Sequence, residues 1–271
     1  MTENTKVLAA VLQMNSTEDV AANVASALAL VEEAVLWGAE LLVLPEKFHY
    51  LGGAKGAVAA SEPLDGALMT SLSETAARHG IFLLAGSIWE EIEGDHRAYN
   101  TSVLLGPDGQ QIAVYRKIHM FDVDVGGHSY RESDDCCPGS QVVTAQMNAG
   151  LKVGMSVCYD LRFPELYRKM VAAGARIFTV PAAFTMATGR DHWEVLLRAR
   201  AVENQVFVVA ANQVGRNGEG LESYGRSMIV DPWGIVLAQV GDGEGIAVAE
   251  LDLLNLEQVR ANLPALNHQV L

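Results

Sequence analysis

The chain has 271 residues, half of them hydrophobic, enough to fill one large α/β domain or two smaller ones. A formal net charge of −14 argues against nucleic acid and anionic membrane surfaces as partners, because both need basic patches. Three cysteines without regular spacing offer no disulfide framework, and a bridge between the neighbours Cys136 and Cys137 is strained, so a reducing cytoplasm fits. The first apolar run is too short for a signal peptide, and no stretch approaches a transmembrane span.

In chain order, Lys6 to Met14 reads as a strand. Ser16 and Thr17 offer N-caps, and Val20, Val24, Leu28, Val31 and Val35 recur at helical spacing up to Gly38. Residues 41–46, LLVLPE, form a buried strand stopped by Pro45, with Glu46 at its end. Residues 47–65 read as loop. A helix runs from Ala67 to His79 and ends at Gly80. Residues 81–90 are a strand, Tyr99 to Leu105 another, and Gln111 to Lys117 completes a hairpin around the turn GPDGQ. Residues 118–140 show little periodicity, and a loop of that length inside a compact domain is usually functional.

Residues 142–158 read as paired strands, the second being the apolar run that ends at Cys158. Pro164 then suits a first helical position and Glu165 a first turn. The cysteine is thereby set at a sharp turn between a buried strand and a helix, where free N–H groups attract thiolate or oxyanion. RIFTVP is a further strand, 182–190 a loop, and Asp191 to Gln205 a helix. VFVVAANQ is a strand, 215–224 a Gly-rich loop, and two strands flank the turn DPWG. Gly245 to Leu251 is the last strand, and Leu253 to Asn262 the last helix. Helices alternate with strands while hairpins interrupt them, which implies sheets covered by helices. No linker or short repeat divides the chain, so one domain is expected over 1–271.

The sequence contains no GxGxxG, P-loop, HExxH or paired CxxC. His119, Asp122, Asp124 and His128 are dense in metal-ligand types but match no standard spacing. A Cys–His dyad with His119 or His192 as base is conceivable. Strand ends are more informative. Glu46, Lys117 and Cys158 each end a strand, and side-by-side strands would bring them to one rim, where open α/β sheets place their sites.

Three motifs in this order, LLVLPE, YRKIHMFD and VCYDLRFPELYR, resemble the carbon–nitrogen hydrolases of the nitrilase superfamily from Val7 to Leu263. The resemblance implies a four-layer α-β-β-α sandwich and a Glu–Lys–Cys triad on Glu46, Lys117 and Cys158. A second glutamate falls on Glu132. CYDLRFPE resembles the Nit amidase branch, and HWEVLLRARAVENQ and SYGRSMIVDPWG resemble its subgroup acting on deaminated glutathione. An ω-amidase acting on α-ketoglutaramate is the alternative, with a nitrilase or N-carbamoyl hydrolase behind it.

The implied chemistry makes Glu46 the base for Cys158. Lys117 and the Tyr159 N–H hold the oxyanion, and ammonia leaves a thioester that water hydrolyses. Glu132 would hold Lys117 and the amide, and two neighbouring carboxylates would keep one protonated. Lys117 and the helix start are expected to favour thiolate at Cys158. No metal or organic cofactor has a task in this scheme. Arg162, Arg190 and His192 are candidates to bind a substrate carboxylate. The family also implies a homodimer, with the wide apolar faces around Tyr167 and Trp193 as its expected interface.

Overall fold

A computed structural model describes residues 5–148, 151–217 and 220–270. In chain order the elements are β1 (Lys6–Gln13), α1 (Val20–Leu36), β2 (Leu41–Val43), α2 (Ala54–Ala59), α3 (Ala67–His79), β3 (Phe82–Leu84), β4 (Ile88–Glu91), β5 (Ala98–Leu105) and β6 (Gln111–Arg116). The hairpin β7 (Asp122–Val125) and β8 (His128–Arg131) follows, then β9 (Cys136–Cys137), β10 (Thr144–Asn148), β11 (Leu151–Met155), α4 (Pro164–Ala172) and β12 (Ile177–Thr179). The last third holds α5 (Met186–Asn204), β13 (Phe207–Ala210), β14 (Val214–Arg216), β15 (Glu222–Tyr224), β16 (Met228–Val230), β17 (Val236–Gln239), β18 (Gly245–Asp252) and α6 (Leu253–Asn262).

Two sheets carry the architecture. One runs β18-β1-β2-β3-β5-β4, with β6 and β9 also paired to β5; the other runs β10-β11-β12-β13-β16-β17. Alternation along β1 sorts the layers. Ala9 and Val11 belong to a core shared with Val153, Met155 and Ile177 of the second sheet. Ala10 and Leu12 belong to a core shared with Ala27 and Val31 of α1 and with Leu68 and Leu72 of α3. On the far side, Tyr167 and Met170 of α4 and Trp193 and Leu197 of α5 cover the second sheet. The result is the helix–sheet–sheet–helix sandwich that the motifs implied.

Several local readings change. Asp19 rather than Ser16 or Thr17 caps α1, its carboxylate accepting the Ala22 N–H at 3.0 Å. The 47–65 segment contains α2, and 118–140 contains the β7–β8 hairpin, whose strands are only four residues each. Residues 81–90 form two strands, not one, because the chain turns at Gly86 with φ +42°. A Cβ on Gly86 would lie 2.0 Å from the Pro45 carbonyl, so only glycine lets this turn pass under the Glu46 segment. The α5 helix begins five residues before Asp191. Gly189, a loop signal in the sequence, instead allows the helix to press on Tyr224, where a Cβ would approach to 2.3 Å. Residues 149–150 of the expected strand pair and part of the Gly-rich loop, 218–219, lie outside the described residues, as do 1–4 and 271.

Candidate active site

Glu46 follows β2 and Lys117 follows β6, both in the first sheet, whereas Cys158 follows β11 in the second. The strands are therefore not side by side, as the strand-end reading supposed. The three side chains meet across the gap between two facing sheets, lining one cavity of about 300 Å³.

Backbone geometry aims two of the side chains. Cys158 opens a 3-10 turn, Cys158–Arg162, with φ +47°. That left-handed value is uncommon away from glycine and is tolerated where the surroundings fix it. Here the Cys158 N–H donates to the Pro181 carbonyl at 2.8 Å, and the Asp160 carboxylate accepts the Val157 N–H at 2.8 Å. The Tyr159 N–H, in the first turn, has no intrahelical carbonyl to meet. Lys47, next to Glu46, has φ +55° and donates its N–H to Ser87 Oγ at 3.0 Å.

The polar network is dense. Glu46 Oε1 accepts Lys117 Nζ at 3.1 Å and Asn100 Nδ2 at 2.8 Å, and its Oε2 accepts the Ala183 N–H at 2.8 Å. Glu132 Oε2 accepts Lys117 Nζ at 2.7 Å and the Phe121 N–H at 2.9 Å. Its Oε1 accepts Lys47 Nζ at 3.0 Å and Asn100 Nδ2 at 3.4 Å. The Cys158 thiol faces the Glu46 carboxylate and the Ala183 N–H.

These contacts set the charge states. Burial opposes charge on Lys117, but Glu132 and then Glu46 hold its pKa well above the ordinary lysine value. Burial likewise opposes charge on Glu132, yet Lys117 and Lys47 keep it far below the usual carboxylate range. The expectation that crowding would keep one carboxylate protonated therefore fails for Glu132, because two ammonium groups bind it. The expectation of a resting thiolate also changes. Burial, and then the Glu46 charge, push the Cys158 thiol well above its usual 9, and Lys117 does not outweigh them. A thiol in this setting needs a base that removes its proton in step with attack.

The remaining candidates have other placements. Arg162 stacks behind Tyr159 and Phe184, two residues of the cavity wall, and lies 3.3 Å from His192 Nδ1. Arg190 pairs with Asp191 on the exposed face of α5. None of Arg162, Arg190 and His192 lines the cavity, so the structure does not bring these cations to it. His119 bonds Asp160 at 2.7 Å and stacks on Phe163, and it does not line the cavity that Cys158 faces. Asp124 is taken by Arg131. Among the described residues no group of three His, Cys, Asp or Glu side chains converges as a metal site.

Sequence reasoning missed Asn100, which is fully buried and touches both carboxylates, and Lys47, which lines the cavity. A lysine directly beside a strand-end glutamate was the available signal for Lys47. Asn100 sits mid-strand and offered none. Cys136 is buried beside β5, its thiol pushed up to about 12 by burial and then by Glu132.

A sandwich with a buried acid, an ammonium and a thiol at the meeting of its sheets belongs to a class of hydrolytic folds built for attack by sulfur. Known proteins place it further. The sequence profile of the carbon-nitrogen hydrolase family matches residues 8–261. A deaminated glutathione amidase from Synechocystis is 42% identical over 266 residues, covering 97% of this chain and 98% of that one. A human omega-amidase is 38% identical over 256 residues, covering 94% of this chain and 92% of that one. The crystal structure of the C. elegans NitFhit protein superposes with a TM-score of 0.92 at 36% identity, covering 97% of this chain and 65% of that one. The chain belongs to the carbon–nitrogen hydrolase family.

Proposed function

We propose that this chain is a cysteine amidase that opens a linear amide through a thioester, with deaminated glutathione as its substrate. The observation that carries the reading is the meeting of Glu46, Lys117 and Cys158 in one cavity, with the thiol against the carboxylate. Glu46 takes the thiol proton as sulfur attacks the amide carbon. Lys117 Nζ and the Tyr159 N–H face the developing oxyanion. Glu46 then passes the proton to the departing nitrogen, the C–N bond breaks, and a thioester remains. Water, deprotonated by Glu46, attacks the thioester, and the carboxylic acid leaves as Cys158 regains its proton. Glu132 and Asn100 hold Lys117 and Glu46 in register.

A primary amide gives ammonia in this scheme. The amide of deaminated glutathione instead gives a dipeptide amine, which needs room beyond the scissile nitrogen. The wall formed by Trp89, Phe121, Tyr130 and Phe184 offers that room in apolar form. The human relative's name supports a second reading, an omega-amidase acting on α-ketoglutaramate. The free thiols Cys136, Cys137 and Cys158 suit a reducing cytoplasm. No described helix is long and apolar enough to cross a membrane. A homodimer formed across the helical layer goes with the same reading.

The test is product release from deaminated glutathione, α-ketoglutaramate, butyramide, a simple nitrile and an N-carbamoyl amino acid. The expected result is amide hydrolysis, fastest with deaminated glutathione and abolished in Cys158→Ala. Preference for the nitrile or the carbamoyl compound would replace this reading.

A further inference from the structure

The mechanism leaves one partly buried cation of the cavity without a task. Lys47 lines the cavity beside Trp89, with its side chain 16% exposed, and its ammonium group lies 4.4 Å from the Trp89 ring centre. It donates to Glu132 Oε1, while Lys117 takes the other oxygen of the same carboxylate. Burial opposes the charge on Lys47, but Glu132 and then Glu46 keep it protonated. An ammonium has three N–H donors, and Glu132 and the ring face account for two of them.

Charge balance gives this group a consequence. Glu46 and Glu132 carry two negative charges against one on Lys117, so Lys117 alone would leave the site anionic and hostile to a second carboxylate. Lys47 makes the four groups neutral. The wall adds Asp135 and Glu222, so no general positive field draws an anion in; recognition needs a specific donor. The other wall cation, Arg131, is occupied by both oxygens of Asp124 and by the Val123 and Tyr130 carbonyls. The strained backbone at Lys47 fits a side chain whose direction matters.

We propose that Lys47 is a specificity-determining residue, whose ammonium group binds the anionic end of an amide substrate that carries a carboxylate or α-keto acid. This rests on the amidase reading and deepens it by naming the class of substrate: amides with a second, negative terminus.

The experiment compares α-ketoglutaramate with neutral butyramide in the wild type, Lys47→Met and Lys47→Arg. Loss of a hydrogen bond to a charged group predicts that Lys47→Met lowers kcat/KM for α-ketoglutaramate about tenfold more than for butyramide, chiefly through KM. Lys47→Arg keeps the charge and recovers most of the preference. Equal losses on both amides, or none, overturn the proposal and leave the amidase reading standing. If the wild type hydrolyses neither of these amides nor deaminated glutathione, the amidase reading is what has failed. Calorimetric binding of α-ketoglutarate to Cys158→Ala and to Cys158→Ala/Lys47→Met then decides on Lys47: weakening of about tenfold in the second supports the proposal, and equal affinity overturns it.

Discussion

The Tyr115 hydroxyl donates to Asp160 Oδ2 at 2.7 Å, joining the strand that leads to Lys117 to the turn that carries Cys158. Both residues are fully buried. The same carboxylate also binds the Val157 N–H and the His119 N–H and ring. One aspartate thereby fixes the thiol turn to the opposite sheet. Tyr115→Phe removes one of its donors and is expected to cost about 1–3 kcal/mol of stability. Turnover is expected to fall with little change in KM, because the distance between Lys117 and Cys158 loosens. Urea titration and steady-state kinetics test this; an unchanged kcat would show that the brace is not needed for chemistry.

Glu46→Gln separates the two roles assigned to that carboxylate. Without the base, turnover is expected to fall by a factor on the order of 100 or more. The Glu46 charge also raises the Cys158 pKa, so its removal moves that pKa down and leaves more thiolate at neutral pH. Iodoacetamide should therefore label Cys158 faster in Glu46→Gln than in the wild type, while catalysis slows. In the wild type the labelling rate should keep rising past pH 9. A plateau near pH 7 would mean that the thiolate forms without Glu46.

His49 gives the fold a pH dependence away from the cysteine. Burial lowers its pKa to about 4, against an ordinary 6.5, and the Ala60 carbonyl only partly offsets this. The folded state holds His49 neutral. Above pH 6.5 both states are neutral and stability is intact; as pH falls from 6.5 towards 4, only the unfolded state gains the proton. The loss over that window is on the order of 3 kcal/mol. His49→Gln is expected to flatten the fall in the urea midpoint between pH 7 and 4. A parallel fall in both proteins would assign the acid sensitivity to other groups.

Much of the architecture was readable because burial writes itself into the sequence. The strand runs ending at Glu46, Lys117 and Cys158 and the stripes of α1 and α3 are all apolar patterns with clear stops. What could not be read was which sheet each strand joins: β6 pairs into the first sheet and β11 into the second, and nothing in either run says so. Asn100 was hidden because a buried asparagine in a strand has no periodic signature. Lys47 was hidden because its position depends on a positive φ that a lysine does not advertise. The wide apolar faces of α4 and α5 misled for a different reason. Tyr167 packs on Phe178, and Trp193 on Phe184 with its N–H on the Arg226 carbonyl, so both rings are core.

That correction moves the expected dimer contact. On α5 the outward residues are Val195 and Val202, 60% and 51% exposed, with Ala199 between them on the same face. Arg190, Asp191, Glu194 and Arg198 flank this stripe, so both charge signs border it. The turn that brings Trp233 packs on Val202, and Arg198 holds its Gly234 carbonyl at 2.8 Å; Trp233 itself is 58% exposed. An apolar stripe edged by both signs is self-complementary across a two-fold axis, because each arginine can meet an acid of the other copy. Light scattering at micromolar concentration is expected to give a dimer for the wild type and a monomer for Val195→Asp/Val202→Asp, with circular dichroism unchanged. A wild-type monomer would end the idea, and a dimer that survives both substitutions would place the contact on another face.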